Sequence, residues 1–122
     1  MSVKTPDRYA LGMDPDYTPQ QVAELLESSE IQLIDVRERH EHTAGRIAGD
    51  QHIELGELRE RAAEIDREVP VVFYCRSGSR SAMAAQAFMA AGFDAHNLDG
   101  GLLAWKGNGL PLEPPDGFVA EP

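Results

Sequence analysis

Pro70-Val71-Val72-Phe73-Tyr74-Cys75-Arg76-Ser77-Gly78-Ser79-Arg80 is the stretch that decides the fold. Its first half is an unbroken run of branched and aromatic residues, the mark of a strand buried on both faces. After Cys75 the character changes at once to two arginines, two serines and a glycine. A helix is expected next, from about Ser79 to Ala91. Only Gln86 is polar between Ala82 and Ala91, so that helix should pack nearly all round, and Gly92 supplies its stop. A strand that enters a helix through a short polar loop is the unit of a parallel sheet, whose ligands bind outside the carboxyl ends of the strands. Cys75 stands at such an end.

The rest of the chain repeats the alternation. Upstream, Thr18-Pro19-Gln20-Gln21 combines an N-cap, a proline at the first helical position and a capping-box glutamine. Ile31 to Val36 reads as a second buried strand, with the charged stretch Arg37 to His42 as a turn or short helix at its end. A short strand is expected near Gln51 to Glu54, and an amphipathic helix with Leu55, Leu58, Ala62 and Ile65 on one face. Downstream, Asp94 to Leu98 reads as a strand leading through Gly100-Gly101 to a short helix that holds Leu102, Leu103 and Trp105. Residues 1–16 are expected to be an irregular lead-in, 17–112 the folded domain, and 113–122 a disordered tail.

Bulk properties narrow the function. The 122 residues suit one domain with its own core. Eleven basic against twenty-one acidic residues leave a formal charge of −10, which argues against nucleic acid and anionic membrane as partners. No apolar run nears the roughly 20 residues that span a bilayer, and the N-terminal sequence lacks the apolar core of a signal peptide. A cytoplasmic location is the expectation, and the single cysteine suits a reducing compartment. His40 and His42 flank Glu41, but an isolated His-x-His pair predicts a solvated turn rather than a metal site.

Cys75 is where chemistry concentrates. A lone cysteine in a strand is ordinarily apolar filler, but filler is not lined by arginine and serine. A free thiol near pKa 8.5 is only about 3% thiolate at neutral pH. A helix N-terminus contributes roughly 0.3–2 kcal/mol toward an anion, and a nearby guanidinium adds to it. Backbone amides of the loop can also turn inward as an anion nest, with Gly78 easing the dihedrals and the Ser77 and Ser79 hydroxyls adding donors. The sequence therefore predicts a Cys75 that is mostly thiolate, lying open in a ring of amides and guanidinium groups.

Three segments in order, Leu33-Ile34-Asp35-Val36-Arg37-Glu38, Val72 to Ser81 and Leu98-Asp99-Gly100-Gly101-Leu102-Leu103-Ala104-Trp105, resemble the rhodanese family over about Thr18 to Pro111. The resemblance implies an α/β three-layer sandwich around a five-stranded parallel sheet of order 1-5-4-2-3. It implies a sulfurtransferase in which Cys75 takes sulfane sulfur from thiosulfate or a persulfide and passes it, as a persulfide, to a thiol, cyanide or protein acceptor. Carried over by position, Cys75 is the nucleophile, and Arg76, Ser77, Gly78, Ser79 and Arg80 bind the donor, with Arg76 and Arg80 attracting its charge. Asp35 and Arg37 are expected to shape the site, and Trp105 to pack. No metal or organic cofactor is implied, and the chain is expected to be a monomer or weak homodimer.

The alternatives are a non-catalytic sulfur-relay or protein-binding module of the same fold, and a small phosphatase or arsenate reductase. Related phosphatases carry a loop one residue longer than the six from Cys75 to Arg80, so the count favours sulfur. The chain departs from the family at Gly45-Arg46-Ile47-Ala48-Gly49-Asp50, where relatives commonly read Gly-His-Ile-Pro-Gly-Ala.

Overall fold

A computed structural model of the chain describes residues 16–122. All of the expected irregular lead-in except Asp16 lies outside them. Thr18 caps α1 (Pro19–Glu27) as its sequence predicts: its Oγ1 accepts the Gln21 amide at 3.1 Å while the Gln21 side chain accepts the Thr18 amide at 2.8 Å. Then follow β1 (Gln32–Asp35), α2 (Arg39–Ala44), β2 (Gln51–His52), β3 (Val71–Tyr74), α3 (Ser79–Ala90), β4 (Ala95–Asn97) and α4 (Gly101–Gly107). All strand pairings are parallel, in the order β2-β1-β3-β4.

The sheet thus has four strands among the described residues, not the five expected. The missing member is reduced to a single parallel bridge, Tyr17 to Leu98, at the outer edge of β4. Read with Tyr17 as its first element, the order is the expected 1-5-4-2-3. Pro19 opens α1 immediately after the bridge, which leaves no room for further pairing.

Side chains from the two faces of the sheet form two cores. One holds Ile34, Phe73 and Cys75 with Ala84, Phe88 and Phe93 of the α3 side. The other holds Leu33, Val72 and Tyr74 with Val22 of α1 and Leu102 and Trp105 of α4. Trp105 is a packing residue, its indole N–H satisfied by the Pro111 carbonyl at 2.7 Å. Helices on both faces complete the three-layer α/β sandwich.

Three local expectations change. The amphipathic helix over Leu55 to Ile65 is broken into two 3-10 turns, Leu55–Glu57 and Ala62–Glu64, although Leu58 and Ile65 still reach the core. Gly56 falls within the first turn, where its backbone freedom disfavours continuing an α-helix. The α3 helix is not packed all round, since Met83 is 59% exposed. The tail 113–122, expected to be disordered, lies against the body instead. Arg46 and Glu113 exchange backbone hydrogen bonds at 3.0 and 2.7 Å, and the Phe118 amide donates to the Ala44 carbonyl at 3.0 Å. Close approach is possible because position 45 is glycine: a Cβ there would meet the Phe118 carbonyl oxygen at 2.4 Å. Glycine and proline in this tail mark irregular backbone rather than mobile backbone.

Two fully buried charges join β1 to α2. The Arg37 Nε and one terminal nitrogen donate to both oxygens of Asp35, at 2.9 and 2.7 Å. The same terminal nitrogen donates to the Gly45 carbonyl at 2.7 Å, pinning the end of α2. Burial alone would raise the Asp35 pKa, but the hydrogen bonds from His42 and Arg37 outweigh it and hold the carboxyl below its ordinary value. A folded-state pKa below the unfolded value contributes stability above that unfolded value and loses it as pH falls. Asp35→Asn is expected to cost about 3–5 kcal/mol at neutral pH, because it leaves a buried guanidinium unpaired. It should also flatten the loss of stability on acidification below the ordinary aspartate value of 3.8, read by urea unfolding at several pH values.

The contact between α4 and the Cys75 loop is equally tight. Gly101 has φ +62°, and a Cβ there would meet the carbonyl oxygens of Arg76 and Cys75 at 2.5 and 2.6 Å. Gly101→Ala is expected to lower stability by roughly 2–4 kcal/mol, from strained dihedrals and overpacking together. An unchanged urea midpoint would show that this contact bears no weight.

Candidate active site

β3 ends at Tyr74, and the chain then turns so that the first amides of α3 face back on the Cys75 sulfur. A helix start leaves its first N–H groups without intrahelical partners, and here they find Sγ. The Gly78 amide donates to Sγ at 3.1 Å and the Ser81 hydroxyl at 3.3 Å. The backbone amides of Ser81 and Arg80 add to the stabilisation of a negative sulfur. Gly78 caps the helix with φ 103°, a left-handed conformation that a side chain would strain. Two carbonyls at the start of the loop are held by α4: the Leu102 and Leu103 amides bond those of Cys75 and Arg76 at 2.9 and 3.0 Å.

Burial of Cys75 by itself pushes the thiol pKa up. The Ser81 hydroxyl and the amides of Ser81, Gly78 and Arg80 favour the thiolate more strongly, and the net pKa lies below that of an ordinary thiol. The sulfur does not lie open, however. Cys75 has no exposed surface and belongs to the apolar core beside Ala84 and Ala85, so the expectation of an open thiol is corrected. Ser77 and Ser79 are exposed, and their hydroxyls are not the ones that reach the sulfur.

The two arginines differ. Arg76 is partly exposed, and its Nε is buried with no hydrogen-bond partner. Arg80, expected with Arg76 to attract the donor's charge, is clamped by Glu41 through two hydrogen bonds of 2.8 and 2.9 Å. Glu41 has no exposed surface, so the expectation of a solvated turn around it fails as well. Asp35 and Arg37 do not touch the sulfur. They form the buried pair at the end of β1, which joins a wider network: His42 Nδ1 lies 2.9 Å from Asp35 and 3.6 Å from Asp50, and its ring stacks on His52.

In that network the ligand atoms of Asp35, His42 and Asp50 lie within 4.8 Å of one another. The Asp35 oxygens are already taken by Arg37 and His42, and Asp50 accepts the Tyr74 hydroxyl at 2.6 Å. We assign no ion to it. Sequence reasoning missed Ser81, Asn97 and Glu41. Ser81 lies in the first turn of α3, and its hydroxyl, with one proton to give, stands 3.3 Å from Sγ and 2.5 Å from the Asn97 carboxamide oxygen, a contact that ties the helix to β4. Its position in that first turn was the available signal. Glu41 had a signal too, since Glu38 and Glu41 have capping-box spacing.

The described residues contain no helix long and apolar enough to cross a membrane. The family model of the Rhodanese-like domain matches residues 18–108. The chain is 35% identical over 89 residues to the thiosulfate sulfurtransferase GlpE of Pseudomonas aeruginosa, covering 72% of this chain and 80% of that one. It is 40% identical over 97 residues to an HTH-type transcriptional regulator of Mycobacterium tuberculosis, covering 75% of this chain but only 42% of the regulator. Among solved structures, a rhodanese-related protein from Thermoplasma volcanium superimposes with a TM-score of 0.74 at 28% identity, over 80% of this chain and 95% of that one. With the family match spanning most of its length and the parallel sheet arranged as that family requires, the chain belongs to the rhodanese-like domain family.

Proposed function

We propose that the protein is a sulfurtransferase that carries sulfane sulfur on Cys75, from a donor such as thiosulfate or a thiol persulfide to a thiol, cyanide or protein acceptor. The single observation that carries this reading is the convergence of the Gly78 amide and the Ser81 hydroxyl on a fully buried thiol. In the first step the Cys75 thiolate attacks the donor's outer sulfur. An S–S bond forms, the donor's bond to that sulfur breaks, and the bonding pair leaves with the donor remnant, which is sulfite when thiosulfate reacts. In the second step an acceptor nucleophile attacks the outer sulfur and Cys75 departs as thiolate. The same N–H and O–H donors that lower the thiol pKa make Cys75 a good leaving group. Arg76, Ser77, Gly78, Ser79 and Arg80 form the donor-binding loop in this reading, with Arg76 at the rim. Because Cys75 has no exposed surface, a side chain of that rim must give way for the donor to reach it. The chemistry suits a reducing, cytoplasmic compartment, where thiol acceptors are abundant.

A second reading is favoured by one observation, the match within a transcriptional regulator more than twice the length of the aligned region. It makes the domain a sulfur-responsive or protein-binding module without turnover. The loop of six residues favours either reading over phosphate ester chemistry.

Thiosulfate treatment is expected to add the mass of one sulfur atom to the intact protein and none to Cys75→Ser; absence of the adduct from the unaltered protein would overturn the proposal. A second outcome concerns Ser81. The pH midpoint for alkylation of Cys75 should lie below that of a free thiol, near 8.5, and Ser81→Ala should move it upward by roughly one pH step, equal to the loss of one hydrogen bond to a charged group. Wild-type protein and variant titrating together would remove Ser81 from the site.

A further inference from the structure

Arg80 closes the catalytic loop, yet its charge is already committed. Both its terminal nitrogens meet the Glu41 carboxylate, Arg80 being 25% exposed and Glu41 0%. Glu41 is fixed from its other side, where it accepts the Glu38 amide at 3.1 Å. Burial would raise the Glu41 pKa, but the bonds from Arg80 and the Glu38 amide hold the carboxyl below its ordinary value, so at neutral pH the pair is an ion pair of zero net charge. Within residues 75–80 the remaining charges are the Cys75 thiolate and the Arg76 guanidinium, which are opposite in sign. A donor that approaches Cys75 therefore meets no net positive charge locally, on a chain whose formal charge is −10. Coulomb energy scales with the donor's charge, so a dianion is repelled twice as strongly as a monoanion.

We propose that Glu41 sets the donor selectivity of Cys75. By holding Arg80 in a neutral pair, it disfavours the thiosulfate dianion relative to sulfane-sulfur donors of lower charge, namely thiol persulfides of the cysteine type. This inference rests on the Cys75 persulfide reading and names the donor class for it. Glu41 is a positioning and selectivity residue: it touches Arg80 and never the donor. The transfer step is unchanged, with the donor's bond to its outer sulfur breaking as the bond to Cys75 forms.

The test compares loading of Cys75 by thiosulfate and by cysteine persulfide, followed by intact mass, in the unaltered protein, Glu41→Gln and the Glu41→Gln/Arg80→Gln double variant. Glutamine keeps an acceptor for the Glu38 amide and for Arg80 while removing the charge. Glu41→Gln is expected to speed thiosulfate loading about tenfold and persulfide loading by less than about threefold, the gain that one freed charge gives a dianion over a monoanion in a partly hydrated site. The double variant should lose that gain. Added salt should speed thiosulfate loading of the unaltered protein by screening repulsion, and slow it in Glu41→Gln by screening attraction. An unchanged ratio of the two loading rates in Glu41→Gln, or a gain retained in the double variant, would overturn the proposal. So would thiosulfate loading of the unaltered protein that slows with salt, a measurement that decides the matter even if Glu41→Gln fails to fold. If neither donor places sulfur on Cys75, the persulfide reading itself fails and takes this inference with it.

Discussion

The structure depends on how the peptide groups after Cys75 are oriented. Each peptide has a donor end and an acceptor end, and both must be satisfied when buried. Here the acceptor ends at Cys75 and Arg76 are taken by the first amides of α4, while the donor ends of the following residues face the sulfur. Neither half of the arrangement is stable alone. Without α4, the carbonyls of Cys75 and Arg76 would lose their partners, and the loop would have reason to turn. The two adjacent glycines, Gly100 and Gly101, let α4 approach closely enough to hold them, both in left-handed conformations.

Around this loop the buried charges come in pairs, while the Cys75 sulfur is met by an amide and a hydroxyl. Asp35 is matched by Arg37 and Glu41 by Arg80, each through two hydrogen bonds. Such pairs cost much of their Coulomb gain in desolvation, so their contribution is mainly to geometry. Arg37 fixes α2 to β1, and α2 in turn presents Glu41 to the Cys75 loop. The site is thus assembled from two neighbouring strands, β1 and β3, at their carboxyl ends, where a parallel sheet ordinarily carries its ligands.

Much of this was legible in the sequence. The run Val71 to Tyr74 is buried at every position, which is why it read as a central strand, and Thr18-Pro19-Gln20-Gln21 specified a helix start by local hydrogen bonding alone. Local chemistry is readable because its partners lie within a few residues. What stayed hidden depends on partners far apart in the chain. Arg80 and Glu41 are separated by 39 positions, so nothing beside Arg80 announces that its charge is taken. Asn97 is joined to Ser81 only by the fold. The tail was misread for a related reason: its order derives from Gly45, a residue in a different element.

The departure at Gly45 to Asp50 has a consequence for how such a domain changes over time. Asp50 sits half buried, and burial pushes its pKa up, against the pull of the Tyr74 hydroxyl and His42. A carboxylate introduced there without the imidazole at position 42 would lose one of the three groups, with Tyr74 and Arg46, that offset its desolvation. Grafting the six-residue segment into a related backbone that lacks His42 is therefore an incomplete transplant.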